Sequence, residues 1–213
     1  AQRLAEALEE RHLDLLVVTH ADQDHHNGVP ALLRRLSIDT AILPGRMRAS
    51  ELASLLAAHG TRVHVLAGGE RLEPAPHLRL AMPSVPEGAS DNDQSLWTSV
   101  QMEGARVLLT GDAEELGVAT AIAEGLATQS DVLVLPHHGR PNAMLPALLQ
   151  CVRPRACFAS AATADGDTVL GRIARRSGAE LWVTGQHGTI TLTGLPAQVT
   201  GSAGSRPLSP RRQ

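Results

Sequence analysis

Short apolar runs alternate along the chain with stretches that repeat at helical spacing. Residues 1–12, AQRLAEALEERH, set Leu4 and Leu8 one turn apart and predict a short amphipathic helix. LDLLVVTH (13–20) is a β-branched apolar run of the kind found in buried strands, and it ends at His20. GVPALLRRL (28–36) restarts helical spacing, with Pro30 in the first turn, where a missing N–H is tolerated. TAILPG predicts a second strand, ASELASLLAAHG a helix closed by Gly60, and TRVHVL a third strand. Regular alternation of strand and helix argues for a layered α/β domain.

The pattern changes near residue 67, where AGGERLEP, HLRLAMP and SVPEGASDNDQ mix short strand patterns with turn residues. SLWTSVQMEGARVLLTGD predicts a hairpin turning at Glu103-Gly104, its second strand ending at Gly111-Asp112. A helix over 113–127, the strand DVLVLP and the segment HHGR follow. Further on come a helix (143–151), a strand (155–160), a helix (168–177), a strand (180–184) and a last short strand in GTITLTG. The domain is expected to occupy residues 1–195. Residues 196–213 are rich in Gly, Ser, Pro and Arg and are expected to be a disordered tail.

Composition narrows the class. A length of 213 residues suits one domain with a sizeable core. No apolar run approaches the roughly 18 residues of a membrane span. The first twelve residues lack a secretory pattern, and the start on Ala rather than Met suggests a fragment. The formal charge of −3 exerts no global pull toward nucleic acid, although every one of the 19 basic residues is Arg. Phe158, Trp97 and Trp182 are the whole aromatic complement, so stacking platforms for bases are scarce. Cys151 and Cys157 lack CxxC spacing and read as buried thiols.

The chemistry-bearing residues share one address, the carboxyl end of a predicted strand. They are His20-x-Asp22-x-Asp24-His25 after LLVVT, Asp112 after RVLLTG, and His137-His138-Gly139 after DVLVLP. Loops at strand ends converge on a rigid scaffold, which makes a shared site a physical expectation. Imidazoles and carboxylates together suit zinc, manganese or iron. Alternate residues of the first loop can face two ions, with Asp112 bridging them. Such a pair lowers the pKa of a water toward neutrality, and Asp24 is the residue to orient that water and handle a proton. Taken singly, Asp112 could instead cap helix 113–127, and His26 could be a supporting donor or a solvated residue.

These segments also carry a resemblance. THADQDHHNG (19–28), SDNDQSL (90–96), LLTGDAEE (108–115), DVLVLPHHGR (131–140), VRPRACFAS (152–160) and WVTGQHGTITLTG (182–194) resemble the metallo-β-lactamase-fold superfamily. Within it they look most like the C-terminal hydrolase domain of ComEC-type DNA-uptake competence proteins. Asp22, where the superfamily usually has His, marks that branch. The resemblance implies an αββα sandwich of two mixed sheets without its N-terminal strands. It implies His20 and Asp22 on one divalent metal (zinc or manganese), Asp24 and His25 on a second, and Asp112 as bridge. One of His137 and His138 completes the set, with His137, nearer the strand, preferred.

Departures from the family pattern are specific. His26-Asn27-Gly28 replaces a hydrophobic residue and two glycines, and Arg140 stands where Ser is usual. Asn92, Asp93 and Ser95 occupy the region of a third-motif His, so the first metal is expected to be weakly held. His138, Arg140, Asn92 and Ser95 are candidates for substrate contact or support of the ligands. Arg46 and Arg48 are further candidates to hold phosphate. The expected function is a metal-dependent phosphodiesterase or nuclease acting on DNA, attached to an inner-membrane channel protein and itself soluble. The alternatives are a stand-alone, cytoplasmic hydrolase of an ester, thioester or lactone, and a non-catalytic DNA-guiding module.

Overall fold

The structure, a computed structural model, describes residues 11–162, 171–172, 176–193, 197–202 and 204–208. Residues 1–10 of the helix expected over 1–12, and most of the helix expected over 168–177, fall outside these residues; His12, the last residue of the first, belongs to a strand instead. Strand β1 (His12–Val17) pairs in parallel with β2 (Ser37–Pro44), which pairs in parallel with β3 (Arg62–Leu66). Between β1 and β2 lie two short helices, α1 (Gln23–His26) and α2 (Val29–Leu33); α3 (Glu51–Ala58) joins β2 to β3. Ser50 caps α3 by accepting the Ala53 N–H at 3.1 Å. All three strands of this sheet run parallel, where a mixed sheet was expected, because each crossover carries helix instead of a hairpin.

The second sheet has seven strands in the order β10-β9-β8-β7-β6-β5-β4. Strands β4 (Arg71–Ala75), β5 (Leu78–Ala81), β6 (Trp97–Met102) and β7 (Ala105–Leu109) form an antiparallel meander. Strands β8 (Val132–Val134), β9 (Ala156–Ala159) and β10 (Glu180–Val183) continue it in parallel. Helix α4 (Glu115–Ala123) links β7 to β8, α5 (Leu145–Val152) links β8 to β9, and the single turn α6 (Thr184–His187) follows β10.

Burial follows the strand period. Leu133 and Cys157 face the helices with Val118, Ala121 and Leu148, while Val132 and Ala156 face the other way. Ile42, Leu66, Leu80, Met82 and Leu96 seal the first sheet against the β4–β6 part of the second. Helices α2 and α3 cover the outside of the first sheet through Leu32, Leu33, Leu52 and Leu56. The layers are therefore helix, sheet, sheet, helix.

The tail expected to be disordered corrects that reading. Strands β11 (Thr191–Thr193), β12 (Gln198–Gly201) and β13 (Gly204–Pro207) make a small antiparallel sheet. Ala197, Val199 and Leu208 pack with Trp182, Val132 and Ala156 on the inner face of the large sheet. A few apolar residues among Gly, Ser and Pro suffice, since the rest of the surface they need is supplied by β7–β10.

One loop ties the layers together. Residues 83–96 run from β5 to β6, and the Leu96 N–H donates to the Thr19 carbonyl of the first sheet at 2.8 Å. Asp93, 7% exposed, accepts the Gly117 N–H at 2.6 Å in the first turn of α4. A carboxylate there complements the partial positive charge of the helix start. Gly117 leaves no room for a side chain, as a Cβ would lie 2.6 Å from the Asp93 carbonyl oxygen.

Two expectations follow. Gly117→Ala should lower stability by about 1–3 kcal/mol through forced displacement of this loop, read as a drop in the denaturation midpoint. Burial pushes the Cys157 thiol up to about 12, whereas Cys151 is partly exposed. A thiol-reactive dye should therefore label Cys151 in the native protein, and Cys157 only after unfolding, as read by mass spectrometry of each peptide.

Candidate metal centre

β1 ends at Val17, and the chain carries His20 into the interior at 1% exposure. Its Nδ1 lies 3.0 Å from Thr19 Oγ1, while Nε2 is buried without a hydrogen-bond partner among the described residues. An Nδ1–H donated to Thr19 leaves the Nε2 lone pair bare, which is the ligand state of histidine. Burial, and after it the neighbouring His25, push the His20 pKa down, against the raising influence of Asp112, Asp22 and Asp24. The ring is thereby favoured in its neutral form.

The next residues form α1, with Asp22 at its N-cap position but making no side-chain capping bond. The Asp22 carboxylate instead stands 3.9 Å from His20 Nε2. Within α1, Asp24 Oδ2 lies 3.7 Å from His25 Nε2. His26 donates from Nε2 to the Ala21 carbonyl at 3.0 Å and so closes the loop on itself. That makes it a brace for the loop.

Asp112 enters from the end of β7 after Gly111, whose φ of +57° lies in the left-handed region. A Cβ at Gly111 would stand 2.7 Å from the Ser95 side chain. Ser95 is fully buried and its Oγ accepts the Asp112 N–H at 3.0 Å. Ser95 is therefore a support for Asp112, out of reach of any substrate. Asp112 Oδ2 lies 3.3 Å from His25 Nε2 and 3.3 Å from His138 Nε2. It does not cap α4; the N-cap residue is Glu114, and Asp93 reaches that helix start from outside.

After β8 the chain turns sharply. His137 (φ +47°), His138 (φ +57°) and Gly139 (φ +80°) are all left-handed, and the His137 N–H donates to the Gly111 carbonyl at 3.2 Å. For the two histidines this costs about 1–2 kcal/mol each. The turn sends the rings apart: His138 to Asp112, His137 to Glu114, whose Oε1 lies 3.4 Å from His137 Nδ1. In the geometry the left-handed backbone aims the second ring, not the one nearer the strand, at Asp112.

In two overlapping sets, His20, His25 and Asp112, and Asp24, His25 and His138, one ligand atom of each member lies within 4.8 Å of the others. The His20 and His25 rings are 4.1 Å apart between centroids, and those of His25 and His138 5.5 Å. A divalent cation fits this donor set: a bare buried imidazole nitrogen and a buried carboxylate face two further imidazoles, with no arginine among them to neutralise the acids.

Other candidates stand further off. Asn92 donates to Glu114 Oε1 at 3.2 Å, and its own Oδ1 is buried without a partner among the described residues. Arg46 pairs with Asp91 Oδ1 at 2.6 Å and donates to the Ala89 carbonyl at 2.8 Å. Arg48 and Arg140 are exposed. Sequence reasoning passed over Glu114, Thr19 and Asp93. An acid two residues after Asp112 reads as an ordinary helix start, and nothing local pairs it with His137.

A family model described as "Beta-lactamase superfamily domain" matches residues 1–163. ComE operon protein 3 of Bacillus subtilis (strain 168) is 26% identical over 156 residues, covering 71% of this chain and 20% of that protein. The chain thus spans about a fifth of that relative's length. The metallo-β-lactamase fold protein YhfI from Bacillus subtilis superposes with a TM-score of 0.55 at 12% identity, over 84% of this chain and 76% of YhfI. Zn(2+)-bound PqqB from Methylobacterium extorquens gives 0.52 at 15% identity, over 85% of this chain and 76% of PqqB. The family match runs through the His20 loop, the Asp112 turn and the His137-His138 turn, and the layers superpose on the same fold: the chain belongs to the β-lactamase superfamily, in its metallo-β-lactamase-fold form.

Proposed function

We propose that the chain is a metal-dependent hydrolase domain that cleaves phosphodiester bonds of DNA, within a longer competence protein of the inner membrane. The observation that carries the reading is the buried, unpartnered Nε2 of His20 beside His25, His138 and three carboxylates. The relation to ComE operon protein 3 supports the competence setting. No helix among the described residues is long and apolar enough to cross a membrane.

His20 and Asp22 would hold one zinc or manganese ion, and Asp24, His25 and His138 a second. Asp112 would serve both. Such ions supply Lewis acidity that activates water and stabilises a leaving oxygen. Asp24, with a side chain 74% exposed, is the carboxylate open to solvent that orients the attacking water and takes its proton. Arg48 and Arg140, exposed on loops that follow β2 and β8, would meet phosphate oxygens in two-point contacts. Glu114 holds His137 beside the cluster, where its ring can donate a hydrogen bond to substrate.

Two expectations separate these roles. After dialysis against metal-free buffer, His138→Ala should lose bound zinc or manganese by elemental analysis, while His137→Ala keeps it; the reverse result would restore His137 as the ligand. Asp24→Asn should cut hydrolysis of single- and double-stranded DNA in manganese by about 100-fold or more. Equal cleavage by the variant sinks the mechanism, and turnover of esters or lactones without DNA cleavage moves the substrate to another class.

A further inference from the structure

The outer face of β4–β7, on the side away from the first sheet, carries a recess of about 220 Å³. Strand register explains it. Arg71 pairs with Ala81 and Ala81 with Trp97, while Arg79 pairs with Ser99 and Ser99 with Leu108. The short side chains of Ala81 and Ser99 therefore sit between long ones. Helix α4 stops at Ala123, so Gly125 and Leu126 border the hollow instead of another helical turn.

The recess is apolar below and cationic at its rim. Trp97 and Leu108 line it, and Arg71, Arg79 and Arg106 stand around it against one carboxylate, Glu73. Those guanidinia are partly engaged: Arg79 Nε with Glu73 at 2.9 Å, Arg71 Nη2 with the Glu124 carbonyl at 2.8 Å, and Arg106 Nε with Gln101 at 3.1 Å and Nη1 with the Gln129 carbonyl at 3.3 Å. Each keeps further N–H donors. Trp97 is 2% exposed, and its Nε1 is buried with no acceptor among the described residues. A buried indole N–H normally finds a partner.

We propose that this recess binds a phosphate monoester with a compact organic body, at a site separate from the metal centre. Three guanidinia around one hollow match the several oxygens of a dianionic phosphate better than the two of a carboxylate. The apolar floor of Trp97 and Leu108 takes the body. The volume falls short of the roughly 300 Å³ at which pockets for larger ligands begin, which restricts the ligand to about the size of a pentose phosphate. Such a group can come from a sugar phosphate or from a 5′-nucleotide.

The chain has two tryptophans, so its indole N–H resonances offer a direct readout, with Trp182→Phe assigning that of Trp97. Titration of the metal-loaded protein with ribose 5-phosphate or thymidine 5′-monophosphate should shift the Trp97 resonance saturably, and the tighter of the two identifies the source. Ribose alone should leave it in place. The Arg79 side chain is 67% exposed and bonds Glu73, so Arg79→Gln leaves the fold intact and should weaken binding about tenfold. The proposal fails if neither ester shifts the resonance, or if Arg79→Gln binds as well as the native protein. It also fails if inorganic phosphate binds as tightly as both esters. Phosphate captured at the metal centre would show as binding indifferent to Arg79.

Discussion

The loop over 90–96 is the constraint on which the site depends. Asp22, Asp24 and Asp112 crowd one corner with His20, His25 and His138, and carboxylates so close repel one another without a cation. Only covalent and hydrogen-bonded geometry can hold them there. The loop does so through three bonds to three elements: Leu96 to Thr19, Ser95 to Asp112, and Asp93 to Gly117. The first joins the two sheets, the second fixes the Asp112 turn, and the third locks the helix that follows it. A hydrogen bond involving a charged partner such as that of Asp93 is worth about 1.5–3 kcal/mol.

The His137-His138 turn shows how backbone conformation decides chemistry. His137 and His138 are adjacent and of the same type, yet a left-handed pair of residues splits their rings between Glu114 and Asp112. Asn92 donates to Glu114 and so reaches His137 indirectly. A segment that has no ligand of its own still organises the site from behind.

The arrangement of layers has a similar logic. The parallel first sheet delivers His20 and α1, while the carboxyl ends of β7 and β8, which pair in parallel, deliver Asp112 and the two histidines. The β4–β6 part of the meander contributes no member of the metal cluster. Its inner face seals against the first sheet through Leu80, and its outer face carries the arginine-rimmed recess. The small sheet β11–β13 completes the inner face over β7–β10, and it alone draws its buried residues from a segment whose composition suggested disorder.

The sequence by itself determined the strands that deliver the ligands, the hairpin at Glu103-Gly104, and the residue types His20, Asp22, Asp24, His25 and Asp112. Those are local properties: β-branched runs, turn residues, and spacing within one loop. Only the tertiary structure decided which histidine of the 137–138 pair faces Asp112, that Arg46 pairs with Asp91, and that Ser95 supports Asp112 from the interior. It also decided that residues 198–201 and 204–207 form strands, because the few apolar side chains around them gain stability only against β7–β10. Each of these depends on partners distant in the chain and on backbone angles that no local pattern encodes. Long-range packing selects among conformations that local propensity leaves nearly equal in energy.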